Sequence, residues 1–464
     1  MASMCGFAAV NCKYAASFAA FIGRDMGKTR IVKNADRIAQ FALFLMFALS
    51  QPVFESTAVA YPVLIPAKQV SWMIGAQRQN LLAITKSDTG EWKAIASQTE
   101  EIEDDIAIVF RNPTESMPVR KKLRKPKTRD PFEGYFDKYH RVIVNDRDLG
   151  SCNQACSEEV RVQAQRLCKD GKVTEYSRIA RIDLDFTKKT AFLVDCNSKQ
   201  PEFESSATQL DTEKFAFRGK DFTFRYKNER SVMLDSFSIG HNQDSQKDVL
   251  QGTEMKVYLK PKFMFNLEFE NKDVMAEISS VTHGPLSHGI EIATALNVLI
   301  FQFNKQICCD INIFEDAIYF PVMLDLPYGG DSFIGGSGLF YGFKVTEGTD
   351  FEYFPPQQSD ASGRASRSST AMTLARENRI VTVGFGNLKA KDGTLLAPMR
   401  QGRVEMAAKG FSKLRSDDGI FYDATKLPDG FNYFNIWLFV GELSDKEKLL
   451  EYARYGVTFK SSRP

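Results

Sequence analysis

From Lys256 to Glu270 the chain reads KVYLKPKFMFNLEFE, and its side chains sort by parity. Val257, Leu259, Phe263, Phe265, Leu267 and Phe269 share one row with Pro261. Lys256, Lys260, Lys262, Asn266, Glu268 and Glu270 occupy the other, where only Tyr258 and Met264 are apolar. Successive side chains of a strand point to opposite faces, so this is the pattern of a half-buried strand. At ~3.3 Å per residue such a strand would span roughly 50 Å, far beyond the usual ~5–6 residues. Pro261 has no N–H to give to a ladder, which predicts a sheet edge or a bend at that position. One long antiparallel sheet, wet on one face, is the expected organising element.

The same alternation recurs along the chain. Phe215, Phe217, Phe222, Phe224 and Tyr226 alternate with mostly polar residues, and Ser231–Ile239 and Val274–Val281 continue the pattern. Ile290–Phe303 is apolar on both parities, as expected for a strand buried on both faces. Ile318–Leu324, Ile380–Leu388 and Phe431–Val440 extend the sheet, the last as a core strand. Helices are expected over Gln77–Lys86, over Cys152–Cys168, and from the capping box Ser444/Glu447 to about Tyr455. Ser177–Cys196 reads as a hairpin, with Asp183 and Asp185 on its solvated face. The fold class is therefore mainly β with a minor α component: an antiparallel, sandwich-like architecture with a few short helices.

A β-barrel is the alternative. Phe is abundant, 37 residues against 15 Tyr and 3 Trp, and such a surplus fills sheet cores or coats lipid-facing barrels. Tyr455–Phe459, YGVTF, resembles the aromatic-ended closing strand of outer-membrane β-barrels, which implies a closing strand there. That family usually ends on the aromatic, whereas here five residues follow Phe459.

The first sixty residues read as a leader. Lys28, Arg30, Lys33 and Arg37 precede the apolar run Phe41–Leu49, and Ala58-Val59-Ala60 forms a small-x-small cleavage site before Tyr61. This is the layout of a secretory signal peptide, and the apolar run is shorter than the ~20 residues a membrane span needs. Met26 offers a second start. Removing residues 1–60 takes six basic and three acidic side chains away and moves the net charge from +2 to −1. A near-neutral chain gives no case for a nucleic-acid partner.

Six cysteines follow the cleavage site, and four of them, Cys152, Cys156, Cys168 and Cys196, cluster. With export, at least one disulfide is expected among those four. Cys308 and Cys309 sit inside an apolar, strand-like run and are expected to be structural.

The segments after the leader are expected to run as follows. Residues 61–130 form a β/α segment, with the acidic run Glu100–Asp105 as a solvated turn and the basic run Arg120–Arg129 as a linker. Residues 131–203 hold the cysteine-bearing helix and hairpin, and 204–354 the long sheet. Residues 355–377 form a mobile Ser-rich loop, and 378–464 the last strands and a short helix.

Chemistry is sparse. Asp88-Thr89-Gly90 reads as a turn between strands. Tyr328–Gly342 is glycine-dense but has no following helix and no Lys-Ser/Thr, so a wide loop is expected rather than a phosphate cradle. No G-x-S-x-G elbow and no H-E-x-x-H spacing occurs, and no cofactor or metal signature is present. His283 and His288, five residues apart with Glu291 close by, are the catalytic candidates. The function expected is that of an exported, non-enzymatic binding or scaffold protein of the cell envelope, periplasmic or on the cell surface. Its partner would be an envelope protein, glycan or lipid surface. An outer-membrane barrel and an envelope hydrolase are the alternatives.

Overall fold

The computed structural model describes residues 61–101, 127–129, 133–152, 156–168, 178–185, 188–196, 198–199, 203, 208–211, 215–227, 234–240, 245–262, 266–298, 301–303, 310–326, 329–356, 369–411, 414, 416–455 and 459–463. Within them the chain is mainly β, made of antiparallel sheets with a few short helices, as expected. One large sheet has nine strands. Its path runs Gln209–Asp211, Ala216–Arg218, Phe222–Tyr226, Leu234–Ile239, Lys247–Leu259, Gly338–Val345, Asp418–Asp423, Met399–Gly402, with Leu267–Glu270 also paired to Lys247–Leu259. The other has ten. Its path runs Asp350–Phe354, Thr370–Arg376, Arg379–Phe385, Gly430–Glu442, Ala317–Leu326, Asp310–Phe314, Ser287–Val298, Val274–His283, Lys127–Arg129, with Phe301–Phe303 beside Ser287–Val298. Both sheets are open among the described residues, so the barrel alternative gives way to a sandwich.

The period-2 pattern accounts for the packing. Phe217, Phe224 and Phe237 lie directly opposite one another on adjacent strands, with ring centroids 4.8 and 6.5 Å apart. Cross-strand aromatic pairs of this kind stabilise a sheet face. The dry face they build meets the dry face of the second sheet in one cluster. Phe224 reaches Phe320, Phe343 reaches Phe385, and Tyr422 reaches Phe434, at centroid separations of 6.3, 5.8 and 4.3 Å.

The organising stretch is not one strand. Lys247–Leu259 ends just before Pro261, and Leu267–Glu270 returns antiparallel, pairing Lys256 with Glu270 and Leu259 with Leu267. The bend falls where the missing N–H of Pro261 interrupts the ladder; Pro261 itself bridges Phe333. Phe263, Met264 and Phe265 lie outside the described residues. Met255 and Leu259 are core residues, with Val257 and Leu267 packed against them. The opposite row, expected to be wet, is partly covered. Lys256 is 2% exposed, held by Glu270 at 3.1 Å and Glu254 at 3.7 Å. Tyr258 packs with Phe340, Met406, Phe411 and Phe421 near the short helix Arg403–Ala408.

The ten-stranded sheet is covered on both faces. Its outer side carries Tyr319, Phe439, Ile380 and Ala375 against Leu449, Leu450 and Tyr452 of the helix Lys446–Tyr455, and against Tyr61 and Ile143. This explains why Phe431–Val440 is apolar on both parities. Gly384 allows the helix to approach, since a Cβ there would stand 2.1 Å from the Ala453 carbonyl oxygen.

A three-stranded sheet, Pro62–Pro66, His140–Asn145 and Gln98–Glu101, shares an apolar layer with a six-stranded one containing Leu81–Lys86, Ile179–Leu184, Lys189–Asp195 and Phe459–Ser462. The helix Cys156–Leu167 covers the six-stranded sheet's other face through Val160 and Ala164. Beside it, Cys152 pairs with Cys156 and Cys168 with Cys196, at Cα separations of 5.8 and 5.6 Å, within the usual range for a disulfide. This pairing fits an oxidising, extracytoplasmic compartment. Cys308 and Cys309 lie outside the described residues.

Several local expectations change. Gln77–Lys86 is a short 3-10 turn, Arg78–Asn80, followed by strand Leu81–Lys86: its run of buried apolar side chains is satisfied inside a sheet, not along a helix. Thr370–Arg376, within the Ser-rich stretch expected to be mobile, is a buried strand; residues 357–368 lie outside the described ones. Lys127–Arg129 is a short strand parallel to Ser280–Thr282 rather than linker. Tyr455 ends a helix, and Phe459–Ser462 joins the six-stranded sheet, so the terminal aromatic closes no barrel. Among the described residues no helix is long and apolar enough to cross a membrane.

Candidate functional site

Where the two large sheets face each other they do not meet everywhere. A cavity of about 90 Å³ lies between them. One wall is built by Tyr226, Leu250, Met255, Leu339, Tyr341 and Phe343 of the nine-stranded sheet. The other is built by Phe320, Val322, Met372, Val383 and Ile436 of the ten-stranded sheet. One water needs about 10–15 Å³ on a comparable measure and two to four polar partners. The cavity has room for several waters but offers few groups to hold them.

The polar atoms in its wall are mainly phenols. Tyr422 donates to the Gly386 carbonyl at 3.1 Å, and Tyr341 is hydrogen-bonded to the Thr253 side chain. Burial raises the pKa of the Tyr341 phenol and pushes those of Tyr226 and Tyr422 well above their ordinary range, so each stays neutral. The lining residues carry no charge. Such a space favours a neutral, hydrocarbon-like occupant. Two thioethers, Met255 and Met372, line it and add adaptable walls.

His283 and His288 are brought together. They are register partners at the end of the hairpin Val274–His283/Ser287–Val298, with Nδ1 atoms 3.0 Å apart. His288 Nε2 lies 3.0 Å from the Thr208 carbonyl. A carbonyl only accepts, so Nε2–H donates to it. Burial, the largest influence, lowers the His288 pKa, and its Nδ1 then accepts from His283. Glu291 does not join them. It pairs with Ser280, whose Oγ donates to Glu291 Oε2 at 2.6 Å, and alternation puts that pair on the opposite face. The three candidates therefore form no common site. Among the described residues no group of three or more His, Cys, Asp or Glu is placed to hold a metal.

A dense polar cluster lies elsewhere. Glu100, expected in a solvated turn, is buried with Arg141, Asn312, Ser287 and Gln98. One Glu100 oxygen accepts from Arg141, and the other from Asn312, Ser287 and Gln98. The carboxylate is surrounded by its own donors, which is the arrangement of a structural clamp. Asp183, expected to be solvated, keeps 39% of its side chain exposed and accepts from Arg181 and Thr190 at 2.8 Å.

No sequence motif marks the cavity. Alternation reveals which residues face a core, but not where two cores fail to touch. The one signal is chemical: Tyr226, Tyr341 and Tyr422 put hydroxyls on otherwise apolar rows.

No family model and no curated protein matches the sequence. Among solved structures, the chain is similar to an alpha-mannosidase from Enterococcus faecalis V583 at 12% identity and a TM-score of 0.37, covering 87% of this chain and 44% of that one. It is also similar to a GH92-family glycosyl hydrolase, ccman5, at 8% identity and a TM-score of 0.21, covering 51% and 30%. The chain thus spans less than half the length of either.

Proposed function

We propose that this is an exported binding protein of the cell envelope that takes a single hydrocarbon chain between its two large sheets. The observation that carries this reading is the uncharged, apolar cavity of about 90 Å³ between the two large sheets. A packed interior normally leaves few voids larger than a water, so an unfilled space of this size lowers stability unless an occupant supplies the missing contacts. Each methylene buried there contributes about 0.8 kcal/mol, so a tail of about six carbons supplies roughly 5 kcal/mol before ordering costs. The neutral phenols give one end of the ligand a hydroxyl to meet without demanding charge.

The leader and the oxidising setting of the cysteine pairs support periplasmic or cell-surface residence, where lipids and their fragments are available. The test is organic extraction of protein purified from the envelope, with mass spectrometry of what is released, alongside titration with an environment-sensitive naphthylamine probe. Val322→Phe, which fills the cavity from one wall, should abolish probe binding while leaving the thermal midpoint unchanged or higher. Equal probe binding by wild type and Val322→Phe would sink the reading.

A further inference from the structure

Asp146 is a carboxylate with 1% exposure, placed just after the strand His140–Asn145. Its Oδ1 accepts from the backbone nitrogen of Tyr61 at 2.8 Å, and its Oδ2 from the Tyr452 hydroxyl at 2.9 Å. The Asp146 N–H in turn donates to the Tyr61 carbonyl at 2.8 Å. One residue therefore holds both backbone polar atoms of Tyr61. The Tyr61 side chain is buried, stacked on Tyr452 with centroids 4.0 Å apart and edge-on to Phe439 at 5.5 Å. The strand Pro62–Pro66 begins at the next residue.

The sequence marks the same atom independently. Ala58-Val59-Ala60 ends immediately before Tyr61, so cleavage there converts this one nitrogen from an amide into an amine. We propose that the α-ammonium of Tyr61, released by cleavage after Ala60, is the buried cationic partner of Asp146, so that removal of the leader completes the fold. Hydrolysis adds water across the Ala60–Tyr61 peptide bond. The hydroxyl goes to the Ala60 carbonyl carbon, leaving a carboxylate on the leader, and the Tyr61 nitrogen takes up protons to become the ammonium.

The physical gain lies in the difference between the two forms of that nitrogen. An amide N–H offers a buried carboxylate one neutral hydrogen bond. An ammonium offers the opposite charge and two further donors, and charge-assisted hydrogen bonds are shorter and stronger. A buried carboxylate without a counter-charge is unfavourable, whereas a paired one is tolerated. The inference rests on the reading of residues 1–60 as a leader and is independent of the cavity. It also assigns Asp146 a role as a receptor for the new terminus, which neither its burial nor its position after a strand would reveal alone.

The experiment compares the mature chain beginning at Tyr61 with one that retains Ala60 as a single extra residue, each with Asp146 and with Asp146→Asn. N-terminal sequencing of the naturally exported protein should return Tyr-Pro-Val. Retaining Ala60 should lower the thermal midpoint, Asp146→Asn should lower it too, and the two changes together should do no more than either. In the native chain the Tyr61 amine should react with an acylating reagent about tenfold more slowly than in Asp146→Asn, because it must first open to react. If Asp146→Asn does not fold, the comparison becomes native against urea-unfolded wild type. A natural terminus other than Tyr61, equal midpoints with and without Ala60, additive losses, or equal acylation rates would each overturn the proposal.

Discussion

Arg141 donates from both Nε and Nη2 to the same oxygen of Glu100, at 3.1 and 2.7 Å, with both side chains buried. Arg141 also lies over the Tyr319 ring, its guanidinium carbon 5.1 Å from the centroid, and reaches Asn312. Since Tyr319 and Asn312 belong to the ten-stranded sheet and Glu100 and Arg141 to the three-stranded one, this pair joins the two layers.

Removing one partner from a buried ion pair leaves an uncompensated charge, at a cost of about 3–5 kcal/mol. Arg141→Met is expected to fall in that range by denaturant unfolding. The double variant Arg141→Met/Glu100→Gln should recover part of the loss, since neither charge is then left behind and the amide oxygen still accepts from Asn312, Ser287 and Gln98. A double variant as unstable as the single one would contradict the pairing.

The burial of the strand end before Pro261 is open to the same kind of measurement. Leu259 is buried in the main core, so Leu259→Ala should cost about 2–5 kcal/mol. Lys262 is exposed, and Lys262→Ala should stay within about 0.5 kcal/mol. Similar unfolding midpoints for the two variants would contradict the burial of Leu259.

These residues also show how much of the fold was legible in the sequence. Side-chain alternation depends on neighbours along the chain, so Leu259 and Phe224 announced a dry face directly. Glu100 did not, because its burial depends on Arg141 and Asn312, which arrive from distant strands. The hairpin at Pro261 was half visible: a missing N–H signals a bend, but whether the chain then returns depends on its ladder partners. The row of Lys256 and Tyr258 looked wet because Tyr258 is covered by residues about 150 positions later, around Met406 and Phe411, while Lys256 is held by Glu254 and Glu270. The cavity depends on the spacing of two sheets, which no local pattern encodes, whereas the separation of His288 from Glu291 follows from alternation itself once both are known to lie on one strand, three positions apart.

His288 gives the protein a pH dependence of known sign. Burial, the largest influence, lowers its pKa from the ordinary 6.5, while its bond to the Thr208 carbonyl opposes the shift. The native state then binds fewer protons than the unfolded chain over this range, so stability rises with pH there. The contribution is fully present above about pH 6.5 and is lost as pH falls through the native value. Urea midpoints measured from pH 7.5 to 5 should decline, and His288→Gln should flatten part of that slope. An unchanged slope in His288→Gln would show that other groups carry it.

Gly384 tests the covering of the ten-stranded sheet by the C-terminal helix. A Cβ at this position would stand 2.1 Å from a backbone oxygen, Ala453 O, which has no flexible side chain to yield. Gly384→Ala should therefore push the helix Lys446–Tyr455 off the sheet and cost about 1–3 kcal/mol, as overpacking does. Hydrogen exchange would show it as faster amide exchange in that helix. Unchanged exchange there, with an unchanged midpoint, would mean that the helix sits farther from the strand.

The two cysteine pairs should contribute unequally. Cys168 and Cys196 are 28 residues apart in sequence, whereas Cys152 and Cys156 are four apart. A cross-link acts largely by restricting the unfolded chain, and its effect grows with the loop it closes: roughly 3.5 kcal/mol for the longer loop and about 2 kcal/mol for the shorter. The longer link also ties the end of the helix Cys156–Leu167 to the end of the strand Lys189–Asp195, so it holds together two elements that pack face to face. Cys168→Ala/Cys196→Ala should lower the unfolding midpoint more than Cys152→Ala/Cys156→Ala, and mild reduction should release the helix from protease protection only once the 168–196 link opens. A larger loss from the 152–156 pair would mean that this short link stabilises through native contacts around Cys152 rather than through loop closure.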